Sequence, residues 1–239
     1  MTGNAGHDPG GPLHWHGRRR GHALRKGRRI LIENLLPRLR IPDEIGGAPA
    51  DLSALFPQTV KEVWLEVGFG AGEHLAEQAR FHPDVGIIGC EPFINGIAAL
   101  LARIERDGLS NVRVFDDDAR LLLPRLPDAA ISRVFVLFAD PWPKKRHHKR
   151  RFLTGENLDA LARIMHDDAE LRFASDHMEF VRWTLDKLTR HRAFQWPARS
   201  PKAWRRRPED WFETRYEAKA LAQGDTCVYL AFRRRRRAG

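Results

Sequence analysis

From residue 62 onward, short apolar runs alternate with segments of helical period, and this order restricts the fold more than any other feature. "EVWLEVG" (62–68), "VGIIGCE" (85–91), "NVRVF", "RVFVLFAD" and "AELRFAS" read as strands. "EHLAEQARF", "INGIAALLARIERDG", "TGENLDALARIMHDD" and "DHMEFVRWTLDKLTRH" read as helices among them, with Gly108 as a stop signal, and "ARLLLPRL" lies between the third and fourth strands. Such alternation implies an α/β architecture, a doubly wound and mostly parallel sheet covered by helices on both faces. The end of the chain breaks the pattern. "TRYEAKA", a turn at "QGD" and "TCVYLAF" predict an antiparallel hairpin, which brings the expected sheet to seven strands.

The 239 residues fit one domain with a full core, assigned to 31–239 and ending in a basic tail. Residues 1–30 are rich in Gly, His and Arg without helical or strand period, which predicts a mobile basic arm. The 41 Lys+Arg against 31 Asp+Glu leave a net charge of +10, which suggests a polyanionic partner. Acid-free runs at Arg18–Arg29, Lys144–Arg151, Arg199–Arg207 and Arg233–Arg237 concentrate that charge. The last of them reads equally well as a loose tail. Cys90 and Cys227 alone give neither a disulfide framework nor zinc-ligand spacing, and the paired His147–His148 has no third ligand at useful spacing, so no metal is expected. A secretory signal and a membrane-length apolar run are both missing, so the expected setting is the cytoplasm.

In a doubly wound sheet, ligands bind outside the carboxyl ends of the strands. The residues there are Glu66 with Gly68, Gly70 and Gly72, then Glu91, Asp116 to Asp118, Asp140, and Ser175 with Asp176. The glycines would let backbone approach a ligand closely. A dinucleotide fingerprint would need a third glycine where Glu73 stands, and a pyrophosphate disfavours the flanking Glu66 and Glu73. Acids beside the glycines suit a cationic ligand with amine and hydroxyl donors, a description that S-adenosylmethionine meets. Glu91 is placed to accept both ribose hydroxyls, a feature shared with dinucleotide sites. Asp118 would face the adenine amino group. Asp140 opens "DPWP" at the middle of this edge, where enzymes that methylate exocyclic amines carry a short acid-Pro-Pro-aromatic motif; no cysteine nucleophile lies near it.

"LEVGFGAG", "DPWPKKRHHKRRF", "ASDHMEF" and "TRYEAKALAQGDT" together resemble the bacterial tRNA (guanine-N7-)-methyltransferase family, class I S-adenosylmethionine-dependent enzymes with a Rossmann-like fold. The resemblance runs from about residue 60 to the end, and Pro92 in "GCEPF" departs from it. It implies methyl transfer from S-adenosylmethionine to N7 of a guanine, typically position 46 of the tRNA variable loop. It further implies Glu66, Glu91, Asp118 and Asp140 as cofactor contacts, with Asp140 also the catalytic candidate. Lys144, Asp176, Thr214, Arg215, Tyr216 and Glu217 would form the substrate set. Arg146, His147, His148, Lys149, Arg150 and Arg151 would contact RNA. The partner implied is tRNA, with no membrane and no obligate protein partner, and the enzyme either a monomer or a homodimer.

Guanine N7 has a lone pair and no proton to lose, so direct in-line attack needs neither a general base nor a covalent intermediate. Two readings of Trp142 stand: a platform for an unstacked base, or an aromatic lid on the core. Asp176, with Glu179 three residues later, reads as a helix cap, a guanine contact or both. Two other classes stay open: a methyltransferase for a different substrate, whose binding would depend weakly on salt, and an RNA-binding protein without catalysis.

Overall fold

The computed structural model describes residues 19–42 and 51–237. Seven strands, β1 (Glu62–Val67), β2 (Val85–Cys90), β3 (Val112–Phe115), β4 (Ile131–Leu137), β5 (Met165–Ser175), β6 (Phe194–Gln195) and β7 (Val228–Arg234), form one sheet in the order β3-β2-β1-β4-β5-β7-β6. The first five are parallel, and β7 runs antiparallel to both β5 and β6. The order reverses between β1 and β4, so the switch point falls between the glycine turn and "DPWP".

Helices α1 (Lys26–Asn34), α2 (Leu36–Leu39), α3 (Glu73–Phe81), α4 (Ile94–Asp107), α5 (Ala119–Leu122), α6 (Gly155–Ile164), α7 (Met178–Arg190), α8 (Lys202–Arg205) and α9 (Arg215–Ala222) pack around it. Burial divides into two apolar clusters. One gathers Leu65, Val134, Leu171 and Phe232 of the sheet with Leu158, Leu161, Phe180 and Leu188 of α6 and α7. The other gathers Trp64, Ile87 and Phe135 with Leu75, Leu100 and Ile104 of α3 and α4. Parallel strands buried on both faces account for the continuous apolar runs that marked them in the sequence. Among the described residues, no helix is long and apolar enough to cross a membrane.

Several boundaries differ from expectation. "TRYEAKA" is not a strand. Thr214 is the N-cap of α9, its Oγ1 accepting from the Glu217 N–H at 3.1 Å, and β7 pairs instead with β5 and the short β6. The strand expected at Ala169 begins at Met165 and shifts register against β4, with Asp168 at φ +63°. That irregularity has a purpose for the basic C-terminus, which is held rather than loose. Arg234 is buried and pairs with Asp167, as does Arg237, while Arg236 pairs with Asp168.

The arm expected over 1–30 is described only from residue 19. Residues 1–18 of it lie outside the described residues, but α1 begins at Lys26, and the segment before it is docked. Arg19 pairs with Asp117, and the Gly21 N–H donates to Asn95 Oδ1 at 2.9 Å. Asn95 Nδ2 in turn donates to the His22 carbonyl at 2.7 Å.

Candidate active site

A cavity of about 630 Å³ opens at the carboxyl ends of β1, β2 and β4. Gly68, Gly70, Glu91, Phe93, Asp118, Phe138, Asp140, Trp142, Arg150 and Tyr216 are among the residues that line it. Gly68 and Gly70 take φ of +73° and +58°, left-handed values that disfavour a side chain. At Gly70 a Cβ would stand 3.1 Å from the Tyr216 ring, so the turn and α9 close on each other here. Gly72, at φ +73°, faces away from the cavity and packs on Leu100, where a Cβ would come within 2.6 Å.

Glu91 is buried, and its two oxygens accept from the backbone N–H groups of Gly70 (2.8 Å) and Phe93 (3.0 Å). Burial lifts this carboxyl to about 7, the nearby Asp140 charge adds to the rise, and the two N–H groups oppose it. Asp118 caps α5, accepting from the Arg120 N–H at 2.9 Å, and its other oxygen takes the Arg120 guanidinium. Arg120 therefore lines the cavity with its charge already matched, a partnership that "DDDAR" hinted at only through sequence proximity.

Glu66 does not line the cavity. It is buried, and one of its oxygens is 2.7 Å from Nδ1 of His74 on α3. Nor does Glu73 press on the cavity. Its carboxylate is taken by Arg103 and Arg215, so the expectation that both acids flank a ligand holds in sequence but not in space.

Asp140 sits on a loop with strained backbone. Phe138 and Trp142, on either side of it, have φ of +49° and +43°, values that non-glycine residues seldom adopt. What holds this conformation is Arg151, whose side chain is fully buried. Its Nε donates to the Pro141 carbonyl at 2.8 Å, its guanidinium pairs with Glu179 and lies between Phe180 and Trp183, each 5.0 Å away. Arg151 therefore cannot be an RNA contact, because it has no surface to offer. The rest of the run forms a 3₁₀ turn, Lys145–Arg150, with Lys145, Arg146 and Lys149 exposed. His147 meets the Trp142 ring edge-on at 5.9 Å, and Arg150 lies over it at 4.9 Å. His148 is half-buried beside Glu179. Desolvation first, and then the charges of Arg150, Arg146 and Lys144, hold the His147 ring below the ordinary histidine range.

Of the substrate set, Tyr216 alone lines the cavity, with half its surface exposed. Lys144 is exposed at the start of the basic turn. Asp176 is exposed just beyond β5 but does not cap α7; that place belongs to His177, whose Nδ1 accepts from the Phe180 N–H at 3.2 Å. The expected capping box fails because Glu179 is turned to Arg151. Arg215 is bound to Glu73. Glu217 is fully buried and accepts from Arg207 Nε (2.9 Å), Trp211 Nε1 (2.7 Å) and the Tyr229 hydroxyl (2.5 Å). It cannot touch a bound base. It anchors α9 so that Tyr216, one residue earlier, stays over the glycine turn.

Residues 60–230 match the family profile described as "Putative methyltransferase". The chain is 50% identical over 226 residues to the tRNA (guanine-N(7)-)-methyltransferase of Rhodospirillum rubrum, covering 94% of this chain and 89% of that one. The tRNA (guanine-N(7)-)-methyltransferase of Chelativorans is 50% identical over 216 residues, covering 90% of this chain and 93% of its own length. Among solved structures, an rRNA methylase from Streptococcus thermophilus superposes with a TM-score of 0.51 at 12% identity, over 77% of this chain and 92% of that one. A SAM-dependent O-methyltransferase from Thermotoga maritima does so with a TM-score of 0.50 at 14% identity, over 87% and 72%. Those two likenesses are of fold. With the sequence identities over nearly the whole length, the chain belongs to the tRNA (guanine-N7-)-methyltransferase family.

Proposed function

We propose that the protein transfers a methyl group from S-adenosylmethionine to N7 of a guanine in the tRNA variable loop. The single observation that carries this is one cavity wall shared by the glycine turn, Glu91 and Asp140, at the switch point of a fold whose relatives bear this name. The residues fit the donor: a buried carboxylate for hydroxyl groups, backbone bared at Gly68 and Gly70, and aromatic walls from Phe93 and Phe138 for a flat base. When bound, S-adenosylmethionine supplies an electrophilic methyl group on a positively charged sulfur. Glu91 would hold the ribose, and Asp118 would border the adenine.

No side chain need remove a proton, because N7 attacks with a lone pair. Asp140 instead orients the base and stabilises the positive charge that develops on its ring. Trp142 and Tyr216 flank the mouth and would confine the guanine between them. The exposed Lys145, Arg146 and Lys149 would contact phosphates, which position an RNA without reading its sequence. Unmodified tRNA incubated with enzyme and S-adenosylmethionine, then digested to nucleosides, should yield 7-methylguanosine that disappears when the variable-loop guanine is replaced. A different methylated nucleoside would keep the cofactor and overturn the target.

Two further results are expected. Hydroxyl donors need the charged form of Glu91, and burial raises its folded-state value above the ordinary one. Cofactor binding should therefore tighten about tenfold per unit as pH rises toward about 7 and level off above it. The same shift acts on the fold with the opposite sign, since the folded chain holds a proton that the unfolded chain has released, so stability falls as pH rises through that window. Calorimetric titration of S-adenosylhomocysteine across this range checks the first effect, and Glu91→Gln should flatten it. For RNA, Arg146→Gln and Lys149→Gln should each lower the slope of log affinity against log salt by about one. A slope that does not change would remove these side chains from the phosphate contacts.

A further inference from the structure

One buried polar chain runs from the strand end of β1 to the loop that leads to Tyr216, and nothing in the proposed reaction yet uses it. Glu66 and His74 are 3% and 1% exposed, and Gln78, one turn further along α3, is fully buried. Glu66 Oε2 lies 2.7 Å from His74 Nδ1, His74 Nε2 lies 3.1 Å from Gln78 Nε2, and Gln78 Nε2 donates to the Asp210 carbonyl at 2.9 Å.

The two ends of this chain, both acceptors, agree on where its protons lie. A backbone carbonyl can only accept, so the Gln78 atom facing it must be the amide nitrogen. The second hydrogen of that nitrogen then points at His74 Nε2, which must accept it. The ring proton is thereby confined to Nδ1, where it is donated to Glu66. The carbonyl that starts the sequence is itself immobile. The Asp210 carboxylate is held by two Arg172 nitrogens, at 2.8 and 2.9 Å, and by Arg133 at 3.1 Å. Trp211, the next residue, packs against the His74 ring at 5.3 Å and donates to Glu217, the anchor of α9.

Gln78 occupies this place at a disadvantage. Its Oε1 is buried with no hydrogen-bond partner, so an apolar side chain of similar length would fill the site without an orphaned acceptor. What a glutamine offers there is two donors on one atom. We infer that Gln78 is a positioning residue: through a single amide it holds the Nε2 side of His74, and so the orientation of the ring and of Glu66 behind the glycine turn, while tying that turn to the loop that leads to Tyr216. The inference rests on the reading of this cavity as a methyl-donor site.

Two measurements test it separately from that reading. In the wild-type protein, long-range proton–nitrogen correlation spectra, assigned with His74→Gln, should show His74 protonated at Nδ1 and bare at Nε2. The opposite tautomer would overturn the inference, whatever the enzyme methylates, and needs no variant to fold. In Gln78→Met the Nε2 donor is lost while Glu66 still accepts from Nδ1, so the proton should stay on Nδ1, the Nε2 resonance should shift, and the ring should be held from one side only. S-adenosylhomocysteine should then bind about tenfold more weakly, with kcat reduced and KM for tRNA raised. Unchanged cofactor affinity and an unchanged His74 spectrum in a folded Gln78→Met protein would also overturn it. If wild-type protein bound no cofactor at all, the donor-site reading would fail instead.

Discussion

Asp140→Asn is expected to lower kcat about a hundredfold while leaving the melting temperature unchanged. Both halves follow from the same observation. Asp140 is exposed, and its carboxylate takes no hydrogen bond or ion pair among the described residues, so the fold gains nothing from its charge. Its backbone is nevertheless fixed, because Phe138 and Trp142 hold left-handed φ values on either side and the buried Arg151 grips the Pro141 carbonyl. A charge kept on a rigid, strained loop, with no ion pair among the described residues to neutralise it, is suited to a cation that forms during reaction. Single-turnover methyl transfer measured across pH decides the matter. Near-normal turnover at every pH would leave Asp140 an orienting role at most and remove the electrostatic one.

Glu217→Ala should have the reverse signature. Its carboxylate is fully buried and accepts from Arg207, Trp211 and Tyr229, so truncation leaves three donors without their acceptor. Removing one member of such a buried charged network costs roughly 3–5 kcal/mol, although Arg207 keeps its second partner, Glu213. Chemical denaturation should show that loss before any kinetic effect is considered. Tyr229 responds to the same environment. Burial, and then the Glu217 charge, push its hydroxyl above the ordinary tyrosine value, which keeps it a donor. Were Glu217 a direct contact to the guanine, the variant would instead keep its stability and change only KM.

These two carboxylates show where sequence reasoning reached and where it stopped. Asp140 was legible because it follows a strand closely, and the carboxyl ends of parallel strands converge on one place whatever the side chains do. The same argument located Gly68, Gly70, Glu91 and Asp118 at one cavity. It also chose Glu66, whose carboxylate lies against His74 rather than on the cavity wall, since strand-end position says nothing of whether a histidine already claims the group.

Glu217 illustrates a second gap. "TRYE" carries a helix-start signature, a threonine followed three residues later by a glutamate, but the turn and apolar run after it favoured a hairpin. The same signature was read at Asp176 and Glu179, where a partner distant in sequence, Arg151, removes the glutamate. Arg151 itself was hidden by its neighbours. One residue in a basic run cannot be distinguished from the others by composition, and only Phe180, Trp183 and Glu179, far along the chain, draw it inward. The Arg233–Arg237 run was hidden likewise, because its partners Asp167 and Asp168 sit in a strand irregularity that has no period to detect.

The position of β7 has a consequence for biosynthesis. It is the last strand in the sequence, yet it lies inside the sheet, between β5 and β6. As the polypeptide leaves the ribosome, β1 to β5 can pair among themselves, but the outer edge of β5 then stays open for the time needed to translate about fifty more residues. Unpaired edges are sites where nascent chains join one another. The acid-free run Arg199–Arg207 is made during this interval, and Arg233–Arg237 comes with the end of β7. Mutual repulsion between such chains would oppose edge-to-edge association until β7 arrives and fills the gap.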